Sequence, residues 1–308
     1  MKNDQQKIQT ALQDLQDHIC AGLEAMDGKG KFQEDLWERP AGGGGRTRLI
    51  GDGNVLVKGG VNFSAVEGEA PDALLKTLKI EAKGEKSLRF FASGVSIVLH
   101  PESPYVPITH MNVRYFELSD GTWWFGGGID LTPHYVFPEL AQQFHQRMKA
   151  VCDEFHPSFY ERFKPWCDEY FYLPHRGEMR GIGGIFFDRL GLEEELSKEE
   201  LLDFIIAVGK AFVPAYAEQV AATKEMSYGQ KELDWQALRR GRYVEFNLVL
   251  DRGTKFGLQT NGRTESILMS MPPTAGWAYD HQPEAGSAEA QTLGYLVKGI
   301  DWLAALEV

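Results

Sequence analysis

Between Ile108 and Glu117 the residues alternate in kind. His110, Asn112 and Arg114 fall at one parity, Met111, Val113 and Tyr115 at the other. Successive side chains of a β-strand point to opposite faces, so the segment predicts a strand with a polar row on one side and an apolar row on the other. A buried strand ordinarily gives both faces to aliphatics. This one offers a proton carrier, an amide and a fixed cation in line, which suits the floor of a site for an anionic substrate.

The flanking sequence extends the pattern. Strands are predicted at Arg48–Ile50, Asn54–Phe63, Phe90–His100, Thr109–Leu118 and Thr122–Asp130, and Ser119-Asp120-Gly121-Thr122 is a hairpin signal joining the last two. Ile8, Leu12, Leu15, Ile19, Leu23 and Met26 recur every three or four residues, so residues 1–27 read as an amphipathic helix that Asp27-Gly28 ends. Gly42 to Gly45 read as a mobile loop; they lack the Gly-Lys-Ser/Thr ending of a phosphate loop. Helices follow at Glu139–Phe155 and Ser158–Tyr170, then a buried strand at Ile182–Phe187 and a long helix at Lys198–Lys224, disturbed at Pro214. A second hairpin is expected from Arg242–Leu250 and Thr254–Gln259 around Asp251-Arg252-Gly253. A short strand at Ile267–Met271 and a closing helix at Ala288–Leu306 complete the reading. Hairpins with helices between them favour an α+β fold, a large antiparallel sheet covered by helices, over a doubly wound parallel sheet. The chain 1–308 reads as a single domain.

Composition narrows the function. The net charge of −12 argues against nucleic acid as a partner, and it makes local arginine clusters more informative. No stretch approaches the ~18 apolar residues of a membrane span, and the Gln- and Asp-rich start shows no targeting signal. Cys20, Cys152 and Cys167 are odd in number and widely spaced, which points to a reducing, cytoplasmic setting.

Four further segments carry chemistry. Ser96 and His100 share one face of the strand Phe90–His100, although a histidine at a strand end often simply faces water. Trp123-Trp124-Phe125-Gly126-Gly127-Gly128-Ile129-Asp130 joins bulky aromatics to glycines that admit a close-approaching backbone or flat ligand; a packed bulge is the plainer reading. His175-Arg176-Gly177-Glu178-Met179-Arg180-Gly181-Ile182-Gly183-Gly184 precedes a strand, the wrong order for a dinucleotide fingerprint. Asp188 then closes that strand, where it would accept from a ligand N–H or form a turn. Arg239-Arg240-Gly241-Arg242, Arg252 and Arg263 extend the arginine theme, each singly an ordinary surface residue. His100, His110, His145 and His175 contain no metal motif and would meet only through the fold.

Taken together, these segments resemble the oxygen-dependent coproporphyrinogen III oxidases of haem biosynthesis. The resemblance runs through Ser93-Gly94-Val95-Ser96, His110 to Arg114, Trp123 to Gly128, Trp166 to Phe171, His175 to Glu178, Arg180 to Gly184, Arg239 to Asn247 and Ser266 to Pro272. It implies a homodimer built on a large antiparallel sheet flanked by helices on both sides. It implies conversion of two propionates of coproporphyrinogen III to vinyl groups, with molecular oxygen as co-substrate. It also implies His110 as proton donor, and Ser96, Asn112, Val113, Arg114, Asn261, Gly262 and Arg263 as substrate contacts. A divalent metal cation would be held by His100, His110, His145 and His175, and no flavin, NAD or haem is expected. The reduced porphyrinogen can itself supply electrons to oxygen, with Asp188 on its pyrrole N–H groups. Asp188 is followed by Arg189 where relatives often carry a second aspartate, and Asn261 replaces a frequent glycine. A histidine-ligated iron oxygenase and a non-catalytic porphyrin carrier are the alternatives to this reading.

Overall fold

The computed structural model describes residues 2–71, 75, 87–259 and 262–304. Its centre is a seven-stranded sheet in the order β1-β2-β3-β4-β5-β6-β9, every neighbouring pair antiparallel. The strands are β1 (Gln33–Glu38), β2 (Gly43–Gly51), β3 (Leu56–Glu69), β4 (Arg89–Pro101), β5 (Ile108–Leu118), β6 (Trp123–Thr132) and β9 (Gly183–Leu190); β7 (Tyr172–Leu173) and β8 (Glu178–Met179) form a separate small hairpin.

The two parities of β5 separate as the pattern requires. Met111, Val113 and Tyr115 are buried in one continuous apolar core, together with Ile97, Leu99, Phe125, Ile129, Ile185 and Phe187 from neighbouring strands. Four helices cover this face: α1 (Lys2–Asp27), α2 (Pro138–Asp153), α3 (Phe159–Tyr170) and α4 (Lys198–Thr223). Ile8, Leu12, Leu15, Ile19 and Leu23 of α1 are buried, the stripe read from their spacing. Pro214 does not break α4, whose start is fixed by a capping box between Ser197 and Glu200.

The opposite face carries His110, Asn112 and Arg114 and is only partly covered. Its cover comes from α5 (Gln230–Glu245), a π-helical turn (Phe246–Leu250), α6 (Arg252–Gln259) and α7 (Thr264–Leu268); α8 (Ala288–Tyr295) follows. Several sequence expectations need correction here. The second hairpin over Arg242–Gln259 is instead helix, π-turn and helix. Val244, Phe246, Leu248 and Leu250 alternate like a strand, but Tyr243, Phe246 and Asn247 are buried at helical spacing, and Asn247 Nδ2 donates to Tyr243 O at 2.9 Å. Asp251 does not turn a hairpin. Its carboxylate accepts the Thr254 N–H at 2.6 Å and so caps α6. Ile267–Met271 starts inside α7, where Ile267 and Met269 donate to carbonyls four residues back. Of Gly42–Gly45 only Gly42 lies in a turn: Gly43 pairs with β3, Gly44 and Gly45 pair with both β1 and β3, and the Trp37 ring lies where a Cβ on Gly45 would stand. The closing helix stops at Tyr295, because the Leu296 carbonyl turns away to accept the Met179 N–H at 2.8 Å; residues 305–306 lie outside the described residues.

Candidate active site

Register assembles the site row by row on the polar face. Ser96 of β4 stands opposite Asn112 of β5, Asn112 opposite Gly128 of β6, and Gly128 opposite Phe186 of β9. One row along, Gly94, Arg114 and Gly126 are aligned; one row back, Val98, His110, Asp130 and Gly184 are. Ser96, His110, Asn112, Arg114 and Asp188 are all half-buried, so this part of the face is open.

Arg114 lies across the sheet rather than standing up from it. Its Nη1 donates to Asn112 Oδ1 and its Nη2 to Asp188 Oδ1, each at 2.9 Å. The glycine between explains the posture: a Cβ on Gly126 would sit 2.7 Å from Asp188 Oδ1 and 3.0 Å from Arg114 Nε. Asp188 reaches this position through a bulge, since β9 has one more residue than β6 between the pairs Phe187–Gly127 and Leu190–Phe125. The extra residue, Arg189, takes the left-handed conformation with φ 56°.

His110 is held from behind. Asp130 Oδ1 lies 2.8 Å from His110 Nδ1, and Arg180 Nη2 donates to Asp130 Oδ2 at 2.7 Å. Asp130 and Arg180 are each 1% exposed, so this is a buried ion pair beneath a half-open imidazole. Burial opposes ionisation of Asp130, but the Arg180 charge and the bond from His110 outweigh it and hold the carboxyl below its ordinary range. A carboxylate only accepts, so Nδ1 carries a proton, and in the neutral imidazole Nε2 is the nitrogen with the lone pair; Nε2 has no hydrogen-bond partner among the described residues.

The walls are aromatic on one side and polar on the other. Toward β9, Tyr170 stacks on Phe186 with ring centroids 4.1 Å apart, and its hydroxyl donates to Asp251 Oδ1 at 2.8 Å. Arg252 lies over the same tyrosine ring at 5.0 Å. Toward β2 and β3, α7 docks through Ser266, which meets Thr47 Oγ1 at 3.0 Å and accepts Asn62 Nδ2 at 2.9 Å. Arg263, at the start of α7, bonds Ser266 Oγ at 3.2 Å and pairs with Asp35. Gly262 is exposed beside it; Asn261 lies outside the described residues.

A profile of the coproporphyrinogen III oxidase family matches residues 7–302. The chain belongs to the coproporphyrinogen III oxidase family. It is 51% identical over 313 residues to the oxygen-dependent coproporphyrinogen-III oxidase of Synechococcus sp. strain CC9605, covering 94% of this chain and 85% of the relative. Enzymes of the same name from Parasynechococcus marenigrum strain WH8102 and Synechococcus sp. strain CC9902 are each 50% identical, with the same coverage.

Within this family member the expected residues divide sharply. Ser96, His110, Asn112, Arg114 and Asp188 share the open face, with Arg263 at its β2 side. Val113, by contrast, points into the core and is fully buried, so only its backbone can face a ligand. The four histidines do not come together. His100 is buried, its Nε2 2.8 Å from Ser270 O, rather than facing water. His145 lies in the helical layer with both ring nitrogens engaged, Nδ1 at 2.9 Å from the Tyr160 hydroxyl and Nε2 at 3.0 Å from Ile182 O. His175 pairs with Glu245 at 2.8 Å. Among the described residues no group of three or more His, Cys, Asp or Glu is arranged to hold a metal ion. The donor set therefore does not fit the metal expected from the resemblance, and no step is derived through one. The Arg239-Arg240-Gly241-Arg242 cluster is also internal. Arg239 donates to Glu178 Oε1 at 2.8 Å and Arg240 to Pro101 O at 2.7 Å, so these residues brace α5. Asp130, Arg180 and Asp251 are the site residues that sequence reasoning missed. The signal for Asp130 was its parity with Gly126 and Gly128 in β6.

Proposed function

We propose that this chain is an oxygen-dependent coproporphyrinogen III oxidase, converting two propionates of coproporphyrinogen III to vinyl groups to give protoporphyrinogen IX. The observation that carries this reading is the open face itself, where Arg114 lies between Asn112 and Asp188 beside a carboxylate-held His110 on a glycine floor. Each conversion removes a β-hydrogen, a proton and carbon dioxide. The two electrons pass to molecular oxygen, which with two protons leaves as hydrogen peroxide.

The residues divide the work by chemistry. Arg114, with Arg263 and the polar groups of Ser96 and Asn112, receives propionate carboxylates; a guanidinium offers them paired donors in a fixed plane. Gly94, Gly126 and Gly128 keep the floor low, letting the neighbouring strands and the flat Arg114 pack closely beneath a planar macrocycle. Asp188, turned toward Gly126 by the bulge, exchanges Arg114 for a pyrrole N–H when a propionate takes the guanidinium. His110, with its Nε2 lone pair toward the open side, accepts and returns a proton as oxygen is reduced.

The whole chain acts as one catalytic domain and pairs as a homodimer in the cytoplasm. The three cysteines are buried and unpaired, and no helix among the described residues is long and apolar enough to cross a membrane. The test is incubation with coproporphyrinogen III with and without oxygen, scored by mass. Loss of two formic-acid equivalents only in the presence of oxygen is expected. Binding without mass loss would make the chain a carrier.

A further inference from the structure

Arg180 is buried beneath the open face, and among the described residues it is the cation that lies over three aromatic rings at once. Its guanidinium carbon lies 4.1 Å from the Phe171 ring centre, 4.6 Å from that of Phe246 and 4.8 Å from that of Tyr243. Three ring faces supply attraction without an acceptor atom, and they leave the guanidinium little room to turn. Its Nε is buried with no hydrogen-bond partner among the described residues. Its side chain instead directs Nη2 at Asp130 Oδ2. Phe171 also meets the His110 ring edge-on at 5.8 Å, so one aromatic residue packs on both ends of the chain His110–Asp130–Arg180.

We infer that Arg180 is a positioning residue that dictates the tautomer of His110. The inference rests on His110 being the proton carrier of the proposed reaction. The logic follows from donor and acceptor inventories. A guanidinium can only donate, so whatever faces it from position 130 must accept. In the native chain both oxygens of Asp130 accept, one from Arg180 and one from His110 Nδ1. The neutral imidazole of His110 therefore keeps its proton on the inner nitrogen and its lone pair on the outer one. The arginine clamps the carboxylate and, through it, the direction of the hydrogen bond that the imidazole makes.

This reasoning predicts the behaviour of a nearly isosteric change. In Asp130→Asn the amide oxygen must face Arg180, which leaves the amide NH2 against His110 Nδ1. Two donors cannot face each other, so the imidazole proton moves to Nε2 and the outer lone pair disappears. Removing the arginine as well, in Asp130→Asn with Arg180→Met, frees the amide to rotate and lets the inner-nitrogen tautomer return. The second substitution is thus expected to repair part of the damage done by the first.

The experiment is long-range ¹H–¹⁵N correlation spectroscopy of the full-length protein labelled with ¹⁵N-histidine, with His110 assigned by its loss in His110→Ala. Oxygen-dependent turnover is measured on the same samples. The native protein is expected to show His110 protonated on Nδ1, Asp130→Asn on Nε2, and the double variant a regained Nδ1–H population. Turnover in Asp130→Asn should fall about a hundredfold or more, the scale of lost acid–base catalysis, with KM within about twofold. The double variant should recover at least about tenfold of that loss. A purely structural role for Arg180 would lower the melting temperature without moving the tautomer. Retention of Nδ1–H in Asp130→Asn overturns the inference and needs no second variant to fold. A tautomer switch with unchanged turnover leaves the clamp in place and refutes His110 as the proton carrier.

Discussion

Adding one methyl group at Gly126 separates the demands of the site from those of the fold. An alanine Cβ there would lie 2.7 Å from Asp188 Oδ1 and 3.0 Å from Arg114 Nε and Nη2, all far ends of side chains that can swing away. The Arg114–Asp188 pair is half-exposed, so breaking it costs at most ~1 kcal/mol of stability. At that cost the melting temperature falls by about 2–4 °C or less for a chain of this size. Binding should suffer far more. A charge-assisted hydrogen bond is worth ~1.5–3 kcal/mol, so displacing Arg114 from its flat posture should weaken the tetracarboxylate roughly tenfold to a hundredfold. The measurements are the KM for coproporphyrinogen III under saturating oxygen and a thermal melt on the same preparation. Gly127→Ala is the contrast, since its Cβ would stand 2.6 Å from the Asn112 carbonyl, a backbone atom that cannot retreat. It should lose the fold rather than the substrate. An unchanged KM in Gly126→Ala would refute the claim that the glycine floor exists to lay Arg114 flat.

Three further outcomes are expected. His110→Ala should lower turnover by about a hundredfold or more with little change in melting temperature, and near-normal vinyl formation would remove it from the mechanism. His145→Leu leaves the Tyr160 hydroxyl and the Ile182 carbonyl without their buried partner, at ~1–3 kcal/mol each, so stability should fall while turnover per folded molecule is kept; the reverse pattern would return His145 to the site. Burial lowers the pKa of His100 and of His145 to about 3, and that of His134 well below its ordinary value. These groups stay neutral in the folded chain while the unfolded chain binds protons below its ordinary histidine pKa, so stability drops as pH falls through about 6.5 and keeps dropping toward 3. At one pH unit below that value the three together cost about 4 kcal/mol, and equal urea midpoints at pH 7.5 and 5.5 would refute the assignment.

What the sequence revealed, and what it hid, follows from the range of the forces involved. Parity along one strand is a local property, so the polar row of His110, Asn112 and Arg114 was legible, as was the hairpin at Ser119–Thr122. Register between strands is also nearly local once a hairpin is tight. It would have placed Asp130 beside His110 had the alternation of β6 been carried past its glycines. The region after Arg239 was harder, because its alternating apolar residues fit two periods. Only the burial of Tyr243, Phe246 and Asn247 decides for a helix, and that burial depends on Val98 and Ile108 beside Tyr243 and on Phe171 and Phe186 beside Phe246, all distant in sequence. The metal expectation shows the same limit from the other side. Four histidines are a plausible donor set on paper, but a ligand is defined by a free lone pair at a common point. The fold uses both nitrogens of His145 and turns His100 to a backbone carbonyl. Arg180 is the reverse case. Its segment, His175 to Gly184, stands out in the sequence, but its role does not, since that comes from three aromatic rings and one carboxylate that only the tertiary structure gathers. Residues that act through direction, holding another group's proton on the correct atom, are therefore the ones a linear reading is least equipped to find.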